Sequence, residues 1–210
     1  MAVLQRDGVR LAFVDEGKGE PAYVFMHGWT CNRSYFKPQH EHFKAKHRVV
    51  SVDLRGHGES DKPHDTAAYD EGELSRDVVR LMDHLGIERA DVMGYSMGGF
   101  IALRLLAESP QRLRSIIVAG VGENYYRRTT ADSSAIAAGL RAPSARDVKD
   151  AVARQFRLFA EHGKNDLEAL ALCMMRPPGT HHFPGKIFSS IDRLQIRNLL
   201  PLRTMPVTAM

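Results

Sequence analysis

The sequence has little cysteine and no long apolar run. Its 210 residues include 2 cysteines, and Cys31 and Cys173 show neither a disulfide framework nor a zinc or redox spacing. No apolar run approaches the roughly 18 residues that a membrane-spanning helix needs. The N-terminus lacks the basic region and apolar core of a secretory signal. These absences predict a soluble, cytoplasmic protein that has no membrane partner.

Internal repeats, low-complexity tracts and phosphate-binding loops are also missing from the sequence. The net charge of +4 is unevenly distributed, because residues 124–210 carry 13 basic and 7 acidic side chains, whereas residues 1–123 carry 16 and 18. The basic side chains, such as Arg127 and Arg128, do not alternate with aromatics, which is typical of solvated faces. We therefore predict no nucleic-acid partner and no cofactor.

The most informative segment is Gly94-Tyr95-Ser96-Met97-Gly98. It lies between the apolar run 90–93 and an apolar helical pattern that begins at Gly99. A Gly-x-Ser-x-Gly pattern alone arises by chance in about one sequence in ten of this composition, so its context decides. Here the context predicts a strand-to-helix turn that lifts the Ser96 hydroxyl clear of the sheet. The amide of Met97 would face the oxygen of a bound carbonyl, which predicts a site for acyl transfer.

Two upstream strands end in similar turns. Residues 22–26 form an apolar run that ends in His27-Gly28-Trp29, and residues 48–53 form another that ends in Leu54-Arg55-Gly56-His57-Gly58-Glu59-Ser60. Both runs predict buried strands. Three strand ends with glycine-rich turns along one chain are far less probable by accident than one.

The remaining patterns complete an α/β arrangement. Asp7-Gly8 predicts a hairpin turn before a strand over 9–14. A helical stripe of Leu74, Val78, Leu81 and Leu85 ends at Gly86, which is a common helix terminator. A further strand is predicted over 115–120, after a helix that continues from the serine turn to Pro110.

In this order the three turn motifs resemble the α/β-hydrolase family over nearly the whole chain. The resemblance implies an α/β fold with a mostly parallel sheet flanked by helices, an antiparallel N-terminal hairpin and a helical cap. It implies that Ser96 is the nucleophile and that the amides of Trp29 and Met97 form the oxyanion hole. The supporting loop residues that it implies are His27, Gly28, Gly94 and Gly98. A serine at this position argues against the epoxide hydrolases and haloalkane dehalogenases of the same fold, which use aspartate.

The resemblance divides the chain into a core over 1–123, a helical cap over 124–200 and the start of the next core strand over 201–210. In the cap region, apolar residues recur at helical spacing: Val148, Val152, Phe156 and Phe159, then Leu167, Leu170 and Met174. These patterns predict two helices. The basic excess of this region either steers acidic substrates toward Ser96 or balances acidic residues that this chain lacks.

The family's triad continues from serine to an acid and then a histidine, after its seventh and eighth strands. No residue of this sequence matches that histidine, so we expect a C-terminally truncated hydrolase whose serine is not activated. Glu123 is a candidate acid or a solvated loop residue. His27 and His57 are interpreted as structural loop histidines, and Asp53 as a side chain that binds turn amides.

Another histidine pair, His181-His182, lies in a proline- and glycine-rich stretch. It predicts an exposed loop rather than a metal site, because no further ligands lie at a useful spacing.

Three functional hypotheses follow. The first is a hydrolase acting through a serine on ester, lactone or carbon–carbon bonds of small carbonyl substrates, with turnover impaired in this chain. The second is a non-catalytic protein that binds a ligand or partner. The third is an unstable fragment, since the strand predicted over 115–120 would expose a long unpaired apolar edge. The sequence does not fix the substrate or the oligomeric state.

Overall fold

The computed structural model describes residues 1–6, 8–122 and 130–175. Its strands are β1 (Ala2–Arg6), β2 (Val9–Glu16), β3 (Ala22–Met26), β4 (Val49–Val52), β5 (Ala90–Tyr95) and β6 (Leu113–Ala119). Its α-helices are α1 (Lys37–Phe43), α2 (Glu71–His84), α3 (Met97–Glu108), α4 (Thr130–Arg141), α5 (Ala151–His162) and α6 (Leu167–Met175). Short 3₁₀ helices span Arg33–Phe36, Thr66–Tyr69, Pro110–Arg112 and Ala145–Asp147.

The described strands form one sheet in the order β1-β2-β4-β3-β5-β6. Strands β3, β4, β5 and β6 are parallel, whereas β1 pairs antiparallel with β2 and β2 with β4. Strand β4 is buried at every position, as expected for a parallel strand covered on both faces. The predicted fold class is confirmed, including the N-terminal hairpin.

Local signals explain how these elements begin and end. Gly8 has φ +76° beside the Arg6–Val9 pair, so the hairpin turn uses a conformation that favours glycine. Helix α2 buries Leu74, Val78 and Leu81 against the sheet, which confirms the predicted stripe. Gly86, with φ +65°, follows the end of that helix.

Helices α4 to α6, which we call the helical segment, pack around their own apolar cluster. Helix α6 joins this cluster to the core of the sheet, because Ala169 and Cys173 pack into the sheet's core while Leu170 and Met174 pack into the helical segment. The helical segment is therefore fixed to the sheet through α6. The domain boundaries at 123 and 200 lie outside the described residues and stay a prediction.

The apolar spacing places helix α5 correctly, but its most buried face is a different one. Val152 and Phe159 are 59% and 52% exposed, whereas Ala153, Arg157 and Ala160 are buried. Small side chains allow close contact with α4: a Cβ added to Gly139 would lie 3.0 Å from the Cβ of Ala153. The face of α5 that packs against α4 therefore consists of small side chains and of Arg157, which donates hydrogen bonds to carbonyls of α4.

Candidate active site

Ser96 is the only residue between strand β5 and helix α3. Its φ of 49° and ψ of −109° are unusual for a residue with a side chain. The Ser96 amide donates to the carbonyl of Ala119 at 2.8 Å, and the Ser96 carbonyl accepts from the amide of Phe100 at 3.1 Å. The side chain is half-buried. Both backbone groups are thus held, and the predicted strand–turn–helix geometry is present.

The flanking glycines are required by contacts with backbone atoms. A Cβ on Gly94 would lie 2.1 Å from the carbonyl oxygen of Gly98, and a Cβ on Gly98 would lie 2.2 Å from that of Met26. A Cβ on Gly28 would lie 2.9 Å from the Tyr95 ring and 3.5 Å from the Cβ of Ser96. The loop after β3 therefore lies directly against the serine turn.

His27 is the first residue of the loop after β3 and is fully buried. Its Nδ1 donates to the carbonyl of Gly28 at 2.7 Å, and its Nε2 accepts from the amide of Leu54 at 3.0 Å. Burial lowers the pKa of His27 to about 4, so the ring is neutral near pH 7. With both nitrogens bonded to backbone, His27 supports the loop and has no free nitrogen to take a proton from Ser96.

His57 occupies a similar structural position. Its Nδ1 lies 3.0 Å from the carbonyl of Arg55, and its ring centroid lies 5.2 Å from that of His27. Burial, followed by the proximity of His27, lowers the pKa of His57 to about 3. The interpretation of both residues as structural loop histidines fits these bonds.

The two predicted oxyanion residues, Trp29 and Met97, both contact the helical segment. The Trp29 ring meets the ring of Phe156 edge to face, with centroids 5.3 Å apart. Met97 is buried, and its Sδ lies 3.8 Å from the Sγ of Cys173. The amide of Met97 is at the N-terminus of a 12-residue helix, where the helix dipole favours negative charge. The helical segment therefore packs on both residues.

Thr30 follows Trp29 and has φ 68°. A β-branched side chain rarely adopts this conformation, which costs about 1–3 kcal/mol. The carbonyl of Gly28 accepts from the amide of Cys31 at 3.1 Å, so residues 28–31 form a tight turn. The position that Thr30 occupies in such a turn favours glycine or asparagine. Sequence reasoning missed this residue, since only the backbone reveals the strain.

Asp53 lies at the end of β4 and is fully buried. Its carboxylate accepts from the amides of Arg33 at 2.6 Å and Glu59 at 2.9 Å, and it forms an ion pair with the Arg33 guanidinium. The expectation that this side chain binds turn amides is confirmed. Glu123, His181 and His182 lie outside the described residues, so their roles stay predictions.

The family model described as alpha/beta hydrolase fold matches residues 21–159. The chain belongs to the α/β-hydrolase fold family. The matched range contains the turns after β3, β4 and β5 and extends through most of helix α5. The matched range therefore includes the segments that surround Ser96.

The curated relatives of the chain carry different names. The chain is 35% identical over 117 residues to 3-oxoadipate enol-lactonase 2 of Acinetobacter baylyi, covering 55% of the chain and 43% of that protein. It is 32% identical over 116 residues to epoxide hydrolase 4 of Mus musculus, covering 55% and 32%. An enol-lactonase structure from Burkholderia xenovorans LB400 superimposes with a TM-score of 0.67 at 23% identity, covering 85% and 74%. At that identity the last comparison supports the fold alone.

The chain spans less than half of the length of these curated relatives, 43% of the enol-lactonase and 32% of the epoxide hydrolase. None of the helices in the described ranges has the length and apolar character needed to cross a membrane. Within the same ranges, no hydrogen bond joins Ser96 to a histidine.

Proposed function

We propose that the chain carries the serine site of a hydrolase that acts on ester, lactone or carbon–carbon bonds of small carbonyl substrates. The single observation that supports this is the position of Ser96 at a forced turn, with φ 49° and with Gly28 against its Cβ. Strain of this kind persists where the surrounding structure enforces it, and it is frequent at active sites.

In the proposed reaction, the Oγ of Ser96 adds to the substrate carbonyl carbon and loses its proton to a base. The carbonyl oxygen becomes an oxyanion, which the amides of Trp29 and Met97 would stabilise. Collapse of this intermediate breaks the bond to the leaving group, which takes up a proton, and leaves an acyl-enzyme. Water then adds to the acyl carbon, releases the carboxylic acid and returns the proton to Ser96.

Two considerations narrow the bond type. A serine forms an acyl ester with a carbonyl substrate, whereas opening an epoxide through an alkyl ester uses aspartate at this position. This argues for carbonyl chemistry despite the similarity to a protein named as an epoxide hydrolase. The relative named as an enol-lactonase supports a lactone or ester substrate.

In this proposal the helical segment belongs to a cap over residues 124–200, and residues 201–210 begin the next core strand.

Neither loop histidine can act as the general base that Ser96 needs. His27 and His57 are neutral, buried and bonded to backbone carbonyls, and Glu123 supplies at most an orienting carboxylate. A serine hydroxyl without a base is a poor nucleophile. We therefore propose that acylation is slow where only the residues that the structure describes act on Ser96.

Titration with a fluorophosphonate tests the proposal, because this reagent forms a stable adduct with a serine that faces oxyanion donors. Because Ser96 lacks a base among the described histidines, the adduct should form slowly, and mass spectrometry of the intact chain and its peptides should find it on Ser96 alone. The Ser96→Ala variant should not be labelled, whereas the matched control Ser133→Ala on helix α4 should be labelled as the parent is. An adduct elsewhere, or labelling that survives Ser96→Ala, would contradict the proposal.

A second candidate is a non-catalytic protein that binds a small molecule at the same site. The neutral, bonded state of both loop histidines favours it. Reversible binding of a phosphonate ester without labelling of Ser96 would support this alternative. A cooperative melt followed by circular dichroism would count against an unstable fragment.

A further inference from the structure

The loop after β3 is held by a side chain that is distant in sequence. Asn165 lies between helices α5 and α6, and its Nδ2 donates to the carbonyl of Thr30 at 3.0 Å and to that of Ala160 at 3.2 Å. The Asn165 backbone amide also donates to Ala160 at 3.2 Å. The side chain is therefore anchored on helix α5 while it binds the loop. Both acceptors are carbonyl oxygens, so the group that faces them is the amide donor.

The turn that carries Asn165 is shaped around this contact. A Cβ on Gly163 would lie 2.5 Å from Nδ2 of Asn165, so a larger residue there would displace the side chain. Lys164 has φ 50°, a left-handed conformation that is uncommon for a residue other than glycine. Asp166 follows, accepts from the amide of Ala169 at the start of α6, and pairs with His64 at 3.0 Å. The contact is thus part of a defined turn.

Two peptide groups connect Asn165 to the predicted oxyanion donor. The carbonyl of Thr30 and the amide of Cys31 belong to one planar trans peptide, so they point in opposite directions. Asn165 holds that carbonyl, while the amide of Cys31 donates to the carbonyl of Gly28 at 3.1 Å. The carbonyl of Gly28 in turn shares its peptide with the amide of Trp29. The direction of the Trp29 amide is therefore fixed by a chain of hydrogen bonds that begins at Asn165.

His27 also donates to the carbonyl of Gly28, through Nδ1 at 2.7 Å. Hydrogen bonds in series polarise one another, so each donor in the chain strengthens the next. The φ of 68° at Thr30 is strained, so relaxation of the turn would lower its free energy. The bond from Asn165 opposes that relaxation, because its acceptor is the carbonyl of the strained residue itself.

We propose that Asn165 is a positioning residue that orients the amide of Trp29 through the Thr30–Cys31 and Gly28–Trp29 peptides. The inference rests on the proposed function for the role of that amide. It makes the reactivity of Ser96 depend on how the helical segment docks on the sheet. Asn165 acts through backbone groups and does not itself touch the substrate.

The experiment compares Asn165→Asp, which removes the donor at nearly constant size, with Asn165→Ala, which removes it without adding charge. His64→Gln is the matched control, since it removes the ring that contacts Asp166 next to Asn165 without touching the loop after β3. Circular dichroism melts establish that each variant folds. If Asn165→Asp does not melt cooperatively, the two measurements below are made on Asn165→Ala alone, and that variant tests the proposal.

The first measurement is fluorophosphonate labelling of Ser96, separated into reversible binding and the rate of covalent reaction. Loss of an oxyanion donor costs on the order of a hundredfold or more in rate, so we expect about a tenfold slower covalent step when the donor is only misoriented. Reversible binding should change less than about twofold. His64→Gln should match the parent in both quantities. If His64→Gln slows the covalent step as much as the Asn165 variants do, the proposal is overturned, because the effect would then come from the docking of the helical segment alone.

The second measurement does not depend on catalysis. Cys31 is half-buried in the same turn, and burial raises the pKa of its thiol. A loosened turn should accelerate alkylation of Cys31 by iodoacetamide at least about threefold, with buried Cys173 as the internal reference. Unchanged Cys31 reactivity in both Asn165 variants would overturn the inference. If Ser96 of the parent is not labelled, the proposed function fails, and the Cys31 rates alone decide whether Asn165 holds the turn.

Discussion

The amide of Gly98 donates a hydrogen bond of 3.1 Å to the carbonyl of His27. This bond joins the first turn of helix α3 directly to the loop after β3, across two parallel strands that pair in register. The serine turn and the loop that carries Trp29 therefore cannot move independently. Stability and site geometry share the same few backbone contacts.

Replacement of Gly98 should be far more costly than replacement of an exposed glycine. In Gly98→Ala the new Cβ would lie 2.2 Å from the Met26 carbonyl oxygen, and backbone atoms cannot yield as a side chain can. We expect a loss of about 3 kcal/mol or more in the free energy of unfolding. Gly86→Ala meets no atom within 4 Å but keeps φ +65°, so it should lose only about 1–2 kcal/mol. Urea denaturation measures both, and equal losses would contradict the steric argument.

The two buried histidines should make the protein less stable in mild acid. Burial lowers the pKa of His27 to about 4 and that of His57 to about 3, whereas an unfolded histidine has a pKa of about 6.5. Below that value the unfolded state binds more protons, so stability falls as the pH drops from about 6.5 toward 4 and 3. Each histidine contributes a slope of about 1.4 kcal/mol per pH unit well inside this window.

Urea denaturation at a series of pH values between 7 and 4.5 checks this slope. In the His57→Gln variant, the slope of unfolding free energy against pH should be lower than in the parent by the contribution of one histidine, about 1.4 kcal/mol per pH unit. A free energy of unfolding that stays level between pH 6.5 and 5 would show that the rings are protonated in the folded state.

Arg157 should be important for stability despite its place on a surface helix. Its Nη1 donates to the carbonyls of Leu140 at 2.6 Å and Ala142 at 2.7 Å, near the end of helix α4. The Arg157→Met variant leaves these carbonyls without that donor, and we expect a loss of about 2–4 kcal/mol. The exposed neighbour Arg154 on the same helix is the control, since Arg154→Met should change stability by less than about 0.5 kcal/mol. Similar melting curves for the two variants would contradict the role of Arg157.

Phe156 and Phe159 should differ although both belong to one apolar stripe in the sequence. Phe156 packs against Trp29, whereas the side chain of Phe159 is 52% exposed. We expect Phe156→Ala to lose at least about 1 kcal/mol more in unfolding free energy than Phe159→Ala, because it removes an aromatic pair as well as apolar contacts. Guanidinium denaturation of both variants gives the comparison. A larger loss for Phe159→Ala would place the contact face on the other side of α5.

Most of the fold could be predicted from the sequence because its signals are local. Apolar runs located β3, β4 and β5, the stripe from Leu74 to Leu81 located α2, and Asp7-Gly8 located the hairpin. The turn at Ser96 was predictable for the same reason, since its glycines lie within two residues of it. The face that α5 buries was not predictable, because a small residue such as Ala153 favours burial only when a residue such as Gly139 on another helix allows close contact.

By itself, the sequence determined which segments form strands and helices and where a tight turn presents a serine. These properties depend on neighbours a few residues apart along the chain. The folded arrangement, by contrast, buries His27 and His57 and so keeps their rings neutral, and it brings Asn165 to the carbonyl of Thr30 from 135 positions away. The physical reason is that burial and hydrogen-bond partners are properties of packing between distant segments, and residue spacing carries no information about them.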